Sequence, residues 1–340
     1  MTSTQREFDE AMIDRACDLA RTPNLVRDVN PYVGAVVVDA DGQIVGHGWH
    51  KGAGTDHAEV VALREAGDRA RGATVYSTLE PCASTGKRGP CTQALIDAGV
   101  SRVVFGQRDP NVSMAGGAAV LESAGIIVHG DVQVDLCSSL NASWTFAHTH
   151  NRPWVIWKTA TSLDGFIAAE DGSSKWITSD DARAKVQEIR AGVGAIVTGT
   201  GTALVDDPLL TVRAHSPQDQ PLRVVVGMRD LPESLNLFST EPRAVSLKQD
   251  LADALTTLWQ EHGGHCVLLE AGPGLSTAAW EQDLVDEVYW FMAPVILGSG
   301  RSVTGPLGIH QLSEAHRFPE YQVNRVGLDL VIHFTTRQDR

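Results

Sequence analysis

Apolar and polar positions in the first half of the chain alternate between helical and strand spacing. Residues 7–21 carry apolar side chains three and four positions apart, which predicts an opening amphipathic helix. Short continuous apolar runs predict buried strands over 32–38, 43–48, 73–79, 100–105 and 126–128. Helices are predicted over 57–67, from Pro90 onward, over 120–124 and over about 131–148. Strands that alternate with helices in this way predict a three-layer α/β domain.

The second half shows the same alternation without repeating the sequence of the first. Strand-like runs recur at 154–159, 195–198, 223–226, 266–270 and 287–291, and helices are predicted over about 179–191, 249–262 and 275–283. A polar stretch that ends in Pro153 separates the two halves. Since 340 residues fit two domains of ordinary size, we expect one domain over 1–150 and another over 151–340.

Composition and charge indicate which kinds of molecule the protein binds. The chain has 28 Lys and Arg residues against 42 Asp and Glu residues, a net charge of −14, and both halves are acidic. Nucleic-acid binders carry a basic excess, so we expect a small-molecule substrate and no nucleic-acid partner. No apolar run approaches the roughly 18 residues of a membrane span. The N-terminus has no apolar signal core, and the five cysteines lack framework spacing, so we expect a cytoplasmic protein.

A candidate metal site stands out in the first half. His57, Cys82 and Cys91 offer one imidazole and two thiolates, a donor set that zinc prefers. Three protein ligands leave a fourth position for water, whose pKa zinc lowers to about 7. Glu59, two residues after His57, is then available to carry protons. The order of these residues is that of zinc-dependent nucleobase deaminases.

An alternative interpretation treats these residues as structural. His57 would cap a helix, and the two cysteines would be ordinary buried residues. The strand-like run over 73–79 between His57 and Cys82 favours the zinc site instead, because chance seldom produces all the parts in this order. The helix predicted from Pro90 places Cys91 in a first turn, where a thiolate is stabilised.

Glycine-rich segments follow two strands of the second half. Residues 199–202 and 270–274 lie where open α/β sheets bind ligands, although glycine loops are more often simple turns. Arg190 and Arg213 could hold a phosphate, or could be solvated surface residues. Lys158 lies inside an apolar strand, an unusual position that indicates a function.

Taken together, these segments resemble a known family, the bifunctional riboflavin-biosynthesis enzymes called RibD. The resemblance covers nearly the whole chain and rests on segments that occur in one order: 30–35, 57–59, 78–82 with Cys91, 162–165, 176–179, 206–213, 270–273 and 293–298. The eight residues between the two cysteines also differ from the two that polynucleotide and cytidine deaminases usually have.

The resemblance implies a cytidine-deaminase-like domain followed by a dihydrofolate-reductase-like α/β domain. It implies zinc-dependent deamination of 2,5-diamino-6-ribosylamino-4(3H)-pyrimidinone 5′-phosphate, with Glu59 moving the protons. NADPH would then reduce the ribosyl side chain, giving 5-amino-6-ribitylamino-uracil 5′-phosphate. The resemblance also implies a homo-oligomer. Its implied cofactor contacts are Ala160, Trp176, Thr202, Asp206, Gly272, Pro273, Gly274, Leu275, Ser276, Thr277 and Ala278. Its implied substrate contacts are Asn30, Ser174, Arg190, Leu210, Arg213 and Glu270.

Three features depart from the family pattern. Residues 83–90, between the cysteines, differ from the usual sequence, which affects contacts of the substrate loop. Gly227 and Met228 stand where the family commonly has an Asp after a strand, which weakens a cofactor contact there. Few residues separate His215 from Pro221.

Two other functions compete with this one. A deaminase of small molecules or of tRNA nucleobases, with a non-catalytic accessory domain, would need only the first half. A zinc-stabilised scaffold without activity would have no use for Glu59. The acidic charge and the cysteine spacing argue against the first of these, and Glu59 argues against the second.

Overall fold

The computed structural model describes residues 3–22, 28–84, 89–216 and 219–337. The chain divides into two compact units, Met1–His150 and Asn151–Arg340. Among the described residues, no helix is both long and apolar enough to span a bilayer.

The first unit is a five-stranded sheet with helices on both faces. Its elements are α1 (Ser3–Ala20), β1 (Gly34–Val38), β2 (Ile44–Trp49), α2 (Ala58–Ala66), β3 (Thr74–Leu79), α3 (Cys91–Ala98), β4 (Arg102–Gln107), α4 (Gly117–Ser123), β5 (Ile127–His129), α5 (Val134–Leu140) and α6 (Ala142–His150). The strand order is β2-β1-β3-β4-β5, in which β1 runs antiparallel to both neighbours and the β3-β4-β5 pairs are parallel.

Two apolar clusters fill the layers on either side of this sheet. Ala62 and Leu63 of α2 pack with Leu95 of α3 on one face. Ile13 of α1 and Cys137 of α5 pack on the other, where the Cys17 and Cys137 sulfurs lie 3.6 Å apart. The predicted three-layer α/β fold is confirmed.

The second unit has an eight-stranded sheet and a small two-stranded one. Its elements are β6 (Trp154–Thr161), β7 (Phe166–Ala168), α7 (Asp180–Ala191), β8 (Ala195–Gly199), α8 (Thr200–Asp206), β9 (Leu222–Val226), α9 (Asn236–Ser239), β10 (Val245–Leu247), α10 (Leu251–His262), β11 (Cys266–Leu269), α11 (Pro273–Glu281), β12 (Glu287–Met292), β13 (Arg301–Ser302), β14 (Gln322–Val326) and β15 (Asp329–Thr335). The main order is β10-β9-β8-β11-β6-β12-β15-β14, and β13 pairs with β7. The strands from β10 to β12 are parallel, and β15 and β14 add an antiparallel edge.

A single buried carboxylate ties the beginning of this unit to its last strand. Asp286 is 0% exposed and accepts hydrogen bonds from both terminal nitrogens of Arg152, at 2.6 and 2.8 Å. It also accepts from the Arg337 Nε at 2.5 Å and from the Val155 N–H at 2.9 Å. Each of its oxygens is satisfied, so its charge is stable in the core.

Some predicted elements differ from those in the structure. The helix predicted over 131–148 is two helices, α5 and α6, which are separated at Asn141. Asn141 uses its side chain to pair with the Tyr32 backbone at 2.8 and 3.0 Å, and this interaction ends α5. His57 and Pro90 precede their helices as N-caps rather than lying within them. The strands β7, β10, β13, β14 and β15 were not predicted.

Candidate metal centre and cofactor pocket

Three side chains from separate elements converge in the first unit. His57 immediately precedes α2, Cys82 lies in the loop after β3, and Cys91 is the first residue of α3. The Nδ1 atom of His57 is 3.1 Å from the Cys91 Sγ and 3.6 Å from the Cys82 Sγ. All three donor atoms lie within 4.8 Å of one another. The sequence-predicted ligands are therefore brought together.

Glycines allow α2 to approach β2 closely enough to place His57. A Cβ on Gly46 would lie 2.2 Å from the Ala62 carbonyl oxygen, and one on Gly48 would lie 2.4 Å from that of Ala58. Neither distance is sterically possible, so only glycine fits at these two positions.

Hydrogen bonds and a close backbone contact fix the loop that carries Cys82. The buried Glu80 carboxylate accepts hydrogen bonds from the Ala118 N–H at 3.0 Å and from the Asp109 N–H at 3.3 Å. Gly117 touches the Pro81 carbonyl, since a Cβ there would be 1.7 Å away. These contacts hold the chain rigidly between β3 and α4.

Hydrogen bonds among the three donors shift their pKa values in different directions. A hydrogen bond from the Cys91 side chain, joined by His57, lowers the pKa of Cys82 to about 4 although burial opposes this. The same hydrogen bond, together with burial, raises the pKa of Cys91. A hydrogen bond with Cys82 raises the pKa of His57 to about 8. The protons that hold this cluster together are the ones that a metal would displace.

The geometry fits zinc. Donor atoms around a tetrahedral zinc at ordinary bond lengths are separated by roughly 3.5 Å, close to the separations of His57 from the two sulfurs. One imidazole and two sulfurs also match the chemistry of zinc better than that of calcium or magnesium, which prefer oxygen.

Glu59 lies beside this cluster in the first turn of α2. It is 3% exposed, and burial raises its pKa, with the negative charge of Cys82 adding to this effect. A carboxyl group with a raised pKa can both accept and return a proton near neutral pH. His50 packs edge-on against His57 at 5.5 Å, and its Nε2 has no hydrogen-bond partner among the described residues.

The borders of this site are only partly described. Asn30 is half-buried, and its N–H donates to Asp28 at 2.9 Å. Within the segment 83–90, where we expect altered substrate contacts, residues 85–88 lie outside the described residues. Asp109 follows β4, and burial and then Glu80 raise its pKa to about 6.

The second unit has a cavity of about 650 Å³ at the carboxyl ends of its parallel strands. Its lining includes many residues predicted to contact cofactor or substrate: Ala160, Ser174, Thr202, Asp206, Glu270, Gly272, Pro273, Gly274 and Leu275. The volume suits a small ligand. The Gly272 N–H donates to the Thr202 hydroxyl at 3.0 Å, which joins the loop after β11 to α8.

Other predicted contact residues lie outside this lining. Trp176 is 66% exposed and stacks under the Arg183 guanidinium. Ser276 is fully buried and accepts a hydrogen bond from the Trp157 indole at 3.1 Å. Thr277 and Ala278 are half-buried in α11. Three predicted substrate contacts also lie outside the lining of the cavity. Leu210 is buried and Arg213 is exposed. Arg190 reaches the cavity only through its hydrogen bonds to Glu270.

Three charged side chains form a cluster at one end of the cavity. Arg190 donates to both Glu270 oxygens at 2.6 and 3.0 Å, and the Lys158 ammonium is 4.0 Å from Glu270. Burial opposes ionisation of Glu270, but the charges of Arg190 and Lys158 outweigh it and lower the pKa to about 2. Burial lowers the pKa of Lys158.

Two side chains that were not predicted as site residues hold the segment 209–213 in place. Arg223 is 1% exposed and donates to the Leu209 carbonyl at 3.1 Å, next to Leu210 with its φ of 51°. Gln220 pairs with the backbone of Val212 at 2.7 and 2.9 Å. An arginine inside the apolar run 223–226 was the available signal.

Two family models match the chain. One describes the RibD C-terminal domain and matches residues 153–332. The other describes the zinc-binding region of cytidine and deoxycytidylate deaminases and matches residues 6–107.

Curated relatives and solved structures match over most of their length. The riboflavin biosynthesis protein RibD of Mycobacterium tuberculosis is 41% identical over 90% of this chain and 91% of its own. That of Escherichia coli is 38% identical over 96% and 98%. The structure of Acinetobacter baumannii RibD is 36% identical, with a TM-score of 0.87 over 98% of this chain and 100% of its own. A Thermotoga maritima diaminohydroxyphosphoribosylaminopyrimidine deaminase/5-amino-6-(5-phosphoribosylamino)uracil reductase is 31% identical, with a TM-score of 0.81 over 97% and 99%.

Proposed function

Because the chain belongs to the RibD family, whose members are bifunctional deaminases and reductases of riboflavin biosynthesis, we propose that its two sites act in sequence on one phosphorylated pyrimidine. The first unit is a zinc-dependent deaminase and the second an NADPH-dependent reductase. The predicted fold, enzyme class and cofactors are thus confirmed. The competing nucleobase deaminase with a non-catalytic accessory domain is not favoured, because the RibD C-terminal model matches residues 153–332.

The proposed first substrate is 2,5-diamino-6-ribosylamino-4(3H)-pyrimidinone 5′-phosphate. His57, Cys82 and Cys91 would hold zinc, a Lewis acid that lowers the pKa of a coordinated water and so supplies the nucleophile. Glu59 accepts a proton from that water and returns it to the departing ammonia. Its burial supports this role, because a solvated carboxylate would be too weak a base to take the proton. We place the pyrimidine against this cluster, with Asn30 at its border.

The proposed second step reduces the ribosyl group of the deaminated product to ribityl. NADPH supplies the hydride when it is bound. The cavity in the second unit supports a cofactor site over Ala160, Thr202, Asp206 and the segment 272–275. We retain Trp176 and the segment 276–278 as cofactor contacts and Ser174, Arg190, Leu210, Arg213 and Glu270 as substrate contacts. Lys158 and Asp206 also line the cavity beside the expected reaction centre.

The observation that carries this proposal is the buried cluster of His57, Cys82, Cys91 and Glu59 in the same chain as a charged, glycine-lined cavity. Incubation of the diaminopyrimidine with the protein, followed by mass spectrometry, tests both steps. Without NADPH we expect a product in which oxygen replaces an NH group. With NADPH that product should gain two hydrogens. Reduction before deamination, or no reaction at all, would contradict the proposal.

We further propose that the protein is a cytoplasmic homo-oligomer without a nucleic-acid partner. The net charge of −14 supports a small-molecule substrate. Exposed apolar side chains on the outer hairpin, β14 and β15, support self-association: Val323 is 52% exposed and Leu330 is 41% exposed. Light scattering coupled to size-exclusion chromatography should give a mass above 36.5 kDa, and a monomer at all concentrations would contradict this part.

A further inference from the structure

Two buried cysteines are in contact on the face of the first sheet that is opposite to α2 and α3. Cys17 lies in the last turn of α1, and Cys137 lies on α5. Both residues are 0% exposed, and their sulfur atoms are 3.6 Å apart. Neither cysteine belongs to the metal cluster, so the proposed deamination leaves this pair without a role.

The backbone of β4 keeps Cys137 directed towards α1. A Cβ on Gly106 would lie 2.1 Å from the Cys137 sulfur, so this side chain rests directly on the strand and cannot retreat in that direction. A disulfide has an S–S distance of about 2.05 Å, so the two sulfurs must approach by roughly 1.5 Å to form one. This movement is shared between side chains on two helices, neither of which is part of the sheet.

The two thiols differ in acidity. The hydrogen bond between the sulfurs lowers the pKa of Cys17 although burial opposes this, and the same hydrogen bond raises the pKa of Cys137. Thiolates rather than thiols attack oxidants, so Cys17 reacts first. Its position in the last turn of α1 gives a small oxidant access when that turn opens, because helix ends open more readily than helix centres.

We propose that Cys17 and Cys137 form a reversible disulfide, with hydrogen peroxide as the oxidant, and that this bond stabilises the first unit around its zinc site. The Cys17 thiolate attacks one peroxide oxygen and the O–O bond breaks, which leaves a sulfenic acid on Cys17. The departing hydroxide takes up the proton that Cys17 had released and becomes water. The Cys137 sulfur then attacks the sulfenic sulfur, the S–O bond breaks, and a second water leaves with the Cys137 proton. The two thiols lose two electrons in all, and these reduce the peroxide.

The bond closes a loop that contains every predicted zinc ligand. His57, Cys82 and Cys91 lie between residues 17 and 137, as do all five strands of the first sheet. A cross-link over a long loop restricts the unfolded chain more than the folded one, which favours the folded state. A dithiol reductant reverses the bond, because it supplies two electrons and two protons and becomes a disulfide itself. Such reversibility is typical of disulfides in reducing compartments.

Peroxide treatment of the zinc-loaded full chain tests this inference. After alkylation of the remaining thiols, peptide mapping by mass spectrometry should find the Cys17 and Cys137 peptides joined, and two hydrogens lighter than the reduced pair. Once the peroxide is removed, the temperature of zinc release, followed with a zinc-sensitive dye, reports on the first unit alone. Oxidised wild type should release zinc roughly 5–15 °C above protein that is kept reduced with a phosphine.

Cys266→Ser is the matched control, because it removes a buried cysteine on β11 of the second unit. This variant should form the same cross-link and show the same rise in temperature. Cys17→Ala and Cys137→Ala should show neither, although both should bind zinc as reduced wild type does. Two independent alanine variants keep the comparison valid if one of them fails to fold.

Two results would overturn the inference: a wild type in which peroxide does not join Cys17 to Cys137, and a joined wild type that releases zinc at the temperature of the reduced protein. The role of zinc here rests on the proposed function, whereas the cross-link does not. A protein that never binds zinc would refute the proposed metal site, while its cross-link could still be mapped, so the two failures are distinguishable.

Discussion

The surroundings of Glu59 indicate a role in proton transfer. It is buried beside three potential metal ligands. Glu59→Gln keeps the shape and removes the ability to carry a proton. We expect the rate of deamination to fall by roughly 10²- to 10⁴-fold, the usual contribution of a general acid–base group.

The same variant contains its own control. Zinc content by metal analysis and NADPH-dependent reduction of the deaminated intermediate should both match wild type, because His57, Cys82 and Cys91 are unchanged and the second unit is untouched. Normal deamination by Glu59→Gln would remove this residue from the mechanism.

Glu270 gives a pH-dependent prediction at the same scale. Its pKa falls from 4.5 to about 2 in the folded protein, so its contribution to stability is complete above pH 4.5 and is lost as the pH drops towards 2. Glu270→Gln leaves Arg190 and Lys158 without a counter-charge, which should cost about 3 kcal/mol at pH 7. Urea unfolding at pH 7 and at pH 3 should show a smaller difference from wild type at pH 3.

Glu188→Gln serves as the comparison for this prediction. Glu188 pairs with Lys185 on the exposed side of α7, where an ion pair contributes about 0–1 kcal/mol. A difference for Glu270→Gln that is equally small, or equal at both pH values, would show that the buried pair does not contribute as described.

At the scale of elements, the approach of α2 to β2 determines the metal site. Gly48→Ala would put a Cβ 2.4 Å from the Ala58 carbonyl, which forces α2, and His57 with it, away from the cysteines. We expect a loss of stability of about 1–3 kcal/mol and weaker zinc binding, measured by thermal unfolding and by competition with a chelator. Ile44→Ala on the same strand, at a side chain that is 38% exposed, should leave the zinc affinity unchanged.

The sequence predicted elements best where the local pattern alone decides them. The residue types alone predicted His57, Cys82 and Cys91 as metal ligands, and these side chains converge as expected. The apolar runs predicted the strands of the first sheet. The separation of α5 from α6 depends on Asn141 bonding to Tyr32, far away in the chain, and no local pattern records that contact. The hairpin of β14 and β15 was missed because β14 is exposed on both faces and lacks an apolar alternation.

Contacts between side chains were harder to predict from the sequence than helices and strands. Arg190 stays a predicted substrate contact, and the structure adds that its three guanidinium nitrogens donate to Glu270 and to the Thr211 carbonyl. These hydrogen bonds join three segments that are far apart in the sequence, so only the folded structure reveals them.

At the scale of the whole molecule, each unit has its own apolar core. Residues 152–340 expressed alone should therefore fold and bind NADPH with about the affinity of the full chain, since Arg152 and its partner Asp286 are both retained. Titration of the NADPH fluorescence measures this. A folded fragment, judged by circular dichroism, that fails to bind would contradict the assignment of the cofactor to the second unit.

The contact between Asp286 and Arg337 also has a consequence during synthesis. Because β15 lies between β12 and β14, and Arg337 closes on a carboxylate next to β12, the second sheet stays incomplete until residue 337 has left the ribosome. The first unit is compact over Met1–His150, and domains generally fold in the order in which they are made. We therefore expect every newly made chain to pass through an interval in which the first unit has folded while the second sheet is still incomplete.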